Sequence, residues 1–245
     1  MRNPITSTII ILILVGSSLP AATHYVSLGS TNPQRPYATW ATAATNIQDA
    51  VDASSAGDTV LVTNGLYTVG ERNGGLGPTR VVITNATALR SINGPQLTVI
   101  DGGGGVRCAY LADDASLSGF SLTNGVSPLP GGGVRGTSRN TLVTNCVISG
   151  NSPYYYSGAY SCTLYNCTLS GIVYGGGANS CTLSNCTLTG NGAARGGGAN
   201  SCALYDCTVT GNVAGGGAYS CTLSNCTLSG NSGGGHLSAR STTAR

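Results

Sequence analysis

The chain has 245 residues, of which only 8% are charged, where an ordinary soluble domain has about 25%. Lysine is absent, Glu71 is the only glutamate, and there are 38 Gly and 10 Cys. This composition excludes a long-helix protein, which needs Lys, Glu, Gln and Met. It also excludes a disordered polyelectrolyte, and a net charge of +3 without a basic cluster leaves no nucleic-acid footprint.

The chain opens with Met1-Arg2, an apolar run from Ile5 to Gly16, and the small residues of Ser17-Ser18-Leu19-Pro20-Ala21-Ala22. That order predicts a signal peptide over 1–22, because the apolar run is short of the ~18–20 residues that span a bilayer. Residues 23–57 follow as an N-terminal segment. In it Ala43 to Ser54 is the one predicted helix, with Ile47, Ala50, Val51 and Ser54 on one face. From 58 to 140, Asp58-TVLVTNG, Arg80-VVITN, Leu97-TVIDGG and Ser116-LSGFSLTNG read as short strands ending in turns.

Between 141 and 231 the chain repeats. Five units end in Cys146, Cys167, Cys186, Cys207 and Cys226, spaced 21, 19, 21 and 19 residues apart. Cys162, Cys181, Cys202 and Cys221 each stand five residues before the second cysteine of their unit, and Phe120 takes the place of that second cysteine one coil earlier. Glycine triplets separate the units. A period near 20 that glycines punctuate excludes helical repeats and predicts a strand solenoid. In Cys181-TLSNCTLTGN the residues Cys181 and Leu183 face inward, Asn185 bends the chain, and Cys186 and Leu188 face inward again. The expected fold is all-β: a right-handed parallel β-helix of about eight or nine coils, its first coil covered by the short helix. Residues 232–245 form a polar tail in which the pattern dissolves: either the chain is a truncated product whose open end invites end-to-end self-association, or the tail folds over the last coil.

The stretch from Tyr37-ATW-ATAATNIQDAVDASSAGDTVLVTNGLYT to LRSINGP and TVIDGG resembles the opening segment of exported bacterial β-helix proteins of the pectate-lyase-like superfamily. The Asn-Cys-Thr-Leu-Ser-Gly-Asn and Gly-Gly-Gly-Ala units resemble the repeats of polymorphic outer membrane proteins, with Leu, Val or Ile in place of their aromatic residue. The resemblance covers about residues 24–235. It implies the fold, and a secreted or cell-surface location at a bacterial envelope. It leaves the reaction open, because this fold hosts lyases, hydrolases, adhesins and passive stalks.

Ten cysteines in an exported chain suggest disulfides, but equivalent cysteines on adjacent coils have nearly parallel Cβ vectors, which favours a ladder of buried thiols. Zinc is disfavoured by the five-residue spacing; His24 and His236 are expected in solvent. For catalysis the best constellation is Asp113 and Asp114 with Arg107 or Arg135 one coil away, and calcium would enter only with a lyase activity. Outward hydroxyls at Thr168/Ser170, Thr187/Thr189, Thr208/Thr210 and Thr227/Ser229 should form two rows on one face. With Tyr154, Tyr155 and Tyr156 they are the candidate binding surface. The expected function is non-catalytic surface adhesion or contact with polysaccharide or cell-surface glycans, without a cofactor, nucleic acid or a span beyond the signal peptide. The alternatives are a polysaccharide lyase or glycoside hydrolase, and a truncated or structural repeat protein.

Overall fold

The computed structural model describes residues 20–74, 77–151, 157–233 and 240–241. Three parallel sheets run the length of a solenoid whose cross-section is a triangle. Sheet A has ten strands, from Thr23–Val26 to Arg240–Ser241. Sheet B has eight, from Gly65–Tyr67 to Thr227–Ser229. Sheet C has eight, from Arg72–Asn73 to Ala218–Tyr219. Apart from the antiparallel hairpin of Arg72–Asn73 with Pro78–Ile83, neighbouring strands in all three are parallel. The chain visits A, B and C in turn, giving the expected right-handed β-helix with eight rungs in sheet B.

Alternation builds the core. In sheet A the inward column runs Val60, Leu89, Leu117, Val143, Leu164, Leu183, Leu204, Leu223. In sheet B it runs Tyr67, Ile100, Leu122, Ile148, Leu169, Leu188, Val209, Leu228. Sheet C supplies only Val81, Ala109, Val134, Ala159, Ala178, Ala199 and Ala218, so the prism is thin on that side. Each buried Leu contributes about 1.5–3 kcal/mol.

Each corner has its own column. At the A–B corner Phe120 is followed by Cys146, Cys167, Cys186, Cys207 and Cys226, all buried. Asn145, Asn166, Asn185, Asp206 and Asn225 turn that corner with φ between 52° and 55°, a region that Asn and Asp tolerate best among residues with a Cβ. At the C–A corner stand Thr141, Cys162, Cys181, Cys202 and Cys221. At the B–C corner Asn191, Asn212 and Asn231 form an amide ladder: the Asn212 side-chain carbonyl accepts from Asn191 N (3.0 Å) and Asn191 Nδ2 (3.1 Å), and Asn231 does the same for Asn212. The glycine triplets pass beside this ladder; a Cβ on Gly198 would lie 2.4 Å from the Gly217 carbonyl oxygen, so the coils close only over bare backbone. Gly198→Ala is therefore expected to cost stability, read as a lower denaturation midpoint at unchanged m-value.

Two expectations change at the N-terminal end. The helix is shorter than Ala43 to Ser54: α1 spans Ile47–Val51, capped by the Asn46 side chain on Asp49 N, after a 3-10 turn at Trp40–Thr42. It packs on Thr23–Val26 and Thr59–Val62 of sheet A and on Pro78–Ile83 of sheet C. Gln48, 1% exposed, donates to Val82 O (3.1 Å) and accepts from Val82 N (2.7 Å). A side-chain amide thus pairs the outer edge of sheet C as a strand would, blunting it. His24 is not in solvent: it is 4% exposed, with Nε2 3.1 Å from Asp58 Oδ2 and Nδ1 2.6 Å from Pro36 O. Both ring nitrogens face oxygen atoms. His236 lies outside the described residues. At the other end Arg240–Ser241 pairs with Thr222–Ser224 in sheet A, Arg240 opposite Thr222.

Candidate functional site

The predicted catalytic residues make no ion pair with one another. Asp113 and Asp114 occupy the exposed turn after the sheet C strand Arg107–Leu111, Asp114 with φ 63°. Hydrogen bonds from the Thr137 and Ser138 hydroxyls hold the Asp113 carboxyl below its usual value. Arg135 makes no ion pair with either aspartate; among the described residues the ion pairs are His24–Asp58 and Arg72 with Asp49 and Asp52. Instead the Arg135 guanidinium lies 4.7 Å over the Tyr160 ring, a cation–π contact. Arg107 is fully buried. It donates to Gly131 O (2.9 Å), Thr79 Oγ1 (3.3 Å) and Ser127 Oγ (2.6 Å), tying three segments together. Burial, then the Arg135 charge, pull its pKa down to about 10. It remains protonated near neutrality.

Asp101 lines a cleft of about 480 Å³ with Gly103, Gly104, Asn124, Val126 and Gly150. Its carboxylate already accepts from Gly103 N (2.6 Å) and Asn124 Nδ2 (3.1 Å), and no cluster of three metal-ligating side chains occurs among the described residues.

The two hydroxyl rows exist as geometry. Thr168, Thr187, Thr208 and Thr227 are in register on sheet B, and beside them Ser170, Thr189, Thr210 and Ser229. Tyr154, Tyr155 and Tyr156 fall outside the described residues. All ten cysteines are buried free thiols, with Cys162 and Cys181 Sγ 3.8 Å apart. Burial pushes the Cys108 thiol up to about 12, and bonding between neighbouring thiols, together with burial, does the same for Cys167 and Cys186. These thiols are inert packing groups. Iodoacetamide at pH 8 is expected to label none of them in the native chain and all ten after denaturation, measured by intact mass.

The outer side of sheet C brings together residues that the sequence reading did not group. One outward column runs Val82, Tyr110, Arg135, Tyr160, Asn179, Asn200, Tyr219. Arg135 is thus flanked along the solenoid by Tyr110 and Tyr160, and Arg195 stacks over Tyr219 at 5.5 Å. All seven positions except buried Val82 are half-buried. Successive positions are about 4.8 Å apart, so the column is a linear platform of aromatic, amide and guanidinium groups without a carboxylate. The signal was available in Arg-Cys-Ala-Tyr110, Gly-Val-Arg135 and Gly-Ala-Tyr160, but only strand register aligns them.

The sequence matches no protein-family model and no curated protein sequence. Solved structures do resemble it. A pectate lyase, Pel9A, superposes with a TM-score of 0.59 at 11% identity, covering 88% of this chain and 65% of its own. The fold is a pectate-lyase-like parallel β-helix. The β-helix is also matched by a rhamnogalacturonan lyase (TM-score 0.46, 12% identity, 91% of this chain and 62% of that one). A pectin methylesterase in complex with a hexasaccharide matches as well (TM-score 0.44, 13% identity, 86% and 80%). The β-helix therefore spans just under two thirds of the length of Pel9A, and at such identity the likeness speaks to fold alone.

Proposed function

We propose that this β-helix is an exported, non-catalytic protein that contacts polysaccharide or cell-surface glycans through the outer face of sheet C. The observation that carries this reading is the Tyr110–Arg135–Tyr160 column. Stacked aromatic rings and a flanked guanidinium suit the C–H faces and hydroxyls of sugars. The spacing of about 4.8 Å per coil is also close to the advance of one sugar in an extended chain. A hydrolase needs two carboxylates about 5–9.5 Å apart, and a calcium-assisted lyase needs clustered acids; this face supplies neither. Export is supported by the leader-like segment at 1–22, and no helix among the described residues is long and apolar enough to cross a membrane.

The enzyme alternative, a polysaccharide lyase or hydrolase using Asp113, Asp114 and Arg135, draws on the fold likeness to Pel9A. One experiment separates the two. The purified chain is run against plant, algal and bacterial polysaccharides, with and without calcium, while retention and new unsaturated or reducing ends are recorded. The expected result is retention without product and without a calcium effect, weakened about tenfold by Tyr160→Ala or Arg135→Ala. Product formation that Asp113→Ala abolishes would overturn the reading.

A further inference from the structure

Sheet A carries a second arrangement of rings, on a different face. Its outward column through the repeats runs Thr144, Tyr165, Ser184, Tyr205, Ser224. Tyrosine and serine alternate, so the rings recur every second coil. Tyr165 is 52% and Tyr205 42% exposed, against the half-buried tyrosines of sheet C. Their backbones are fixed on both sides: each carbonyl accepts from the neighbouring coil's corner asparagine, Asn145 N on Tyr165 O (3.1 Å) and Asn185 N on Tyr205 O (3.0 Å). Each also accepts from a buried thiol, Cys167 at 3.4 Å and Cys207 at 3.2 Å. Neither ring can follow a ligand by backbone motion without breaking the ladder, so their separation is built in.

We propose that this face of sheet A is a binding site for a neutral, extended β-1,4-linked polysaccharide lying parallel to the solenoid axis. Two coils separate the rings by about 9.6 Å, twice the strand spacing. That is close to one disaccharide of a flat two-fold ribbon, in which every second sugar turns the same face to the same side. Tyr165 and Tyr205 would stack on the first and third of three consecutive sugars. The small Ser184 leaves room for the second, whose hydroxyls meet Ser184 and the parallel column Thr163, Thr182, Ala203, Thr222. Between the two rings these positions are uncharged; Arg90 stands three coils before Tyr165 in the ring column and Arg240 opposite Thr222 in the other. Asp206 follows Tyr205 at the corner and holds Asn225; it disfavours an anionic chain beside Tyr205. The site is independent of the sheet C face, and its failure would leave that reading standing.

The test uses the full chain with insoluble cellulose, chitin and β-mannan, with starch and polygalacturonate as comparisons, and calorimetry on β-1,4-linked oligosaccharides of increasing length. The expected result is retention on at least one neutral β-1,4-linked polymer and a step in affinity at the trisaccharide, the shortest chain that reaches both rings. Tyr165→Ala or Tyr205→Ala should each weaken binding roughly tenfold, and either should abolish the step, while Arg135→Ala leaves it in place. Unchanged circular dichroism shows that these surface variants fold. Absence of retention on every neutral β-1,4-linked polymer overturns the proposal. So does retention that survives both tyrosine substitutions, or preference for starch or polygalacturonate.

Discussion

Phe120→Ala is expected to destabilise the β-helix by about 3–5 kcal/mol. Phe120 is fully buried at the head of the A–B corner, where every later coil has a cysteine. Its backbone N–H lies 3.5 Å from the Cys146 sulfur, and the strands on either side are locked in register with those of neighbouring coils. The corner cannot collapse into the space of a missing ring without shearing those ladders, so most of the cavity persists. Chemical denaturation measures the effect. A loss under 1 kcal/mol would mean that the corner relaxes, or that the irregular coils before Thr141 do not unfold with the repeats, as quasi-one-dimensional proteins permit.

Asp58→Ala should cost about 1–3 kcal/mol for each buried donor it leaves without a partner, for an electrostatic reason. The Asp58 carboxylate is buried and accepts from Ala22 N (2.7 Å) and Ser55 N (2.7 Å), and its Oδ2 lies 3.1 Å from His24 Nε2. Removing it leaves two backbone donors and a buried ring nitrogen without this partner. Burial raises the Asp58 carboxyl, but the bonds from Ser55, Ala22 and His24 outweigh burial, and its pKa is lowered. The sign follows. A carboxyl whose folded pKa lies below its unfolded value, about 3.9, contributes stability that is complete above the unfolded value. That stability is lost as the pH falls through the folded one. Thermal melts should therefore show the wild type losing this contribution below about pH 4, while Asp58→Ala lacks it at every pH and has a flatter acid limb. Equal acid dependence in both proteins would remove Asp58 from the N-terminal anchor.

Much of this molecule was legible in the chain because a solenoid is a local code. The cysteine spacing, the alternation in Cys181-TLSNCTLTGN and the positive-φ asparagines state which side chains point inward, and the hydroxyl rows follow from the same count. The reading went astray where the period is absent. His24, in a polar context near the start, looks solvated until Asp58 is brought beside it by pairing of Thr23 with Thr59. Gln48, a polar residue on the predicted helix, gives no sign that it closes a sheet edge. The tail after Asn231 has no cysteine and one leucine, Leu237, so the pairing of Arg240 with Thr222 in sheet A is invisible to hydrophobic counting.

The functional faces divide the same way. The sequence by itself determined the repeat, the inward and outward alternation within it and the scarcity of acids. Only the tertiary structure decided which residues of different coils share a column. Register between coils set about 20 residues apart is fixed by backbone hydrogen bonds and corner packing, not by any pattern within one coil. That register sets Arg135 between Tyr110 and Tyr160. It also places Tyr165 and Tyr205 two rungs apart with only the neutral Ser184 between them in their column.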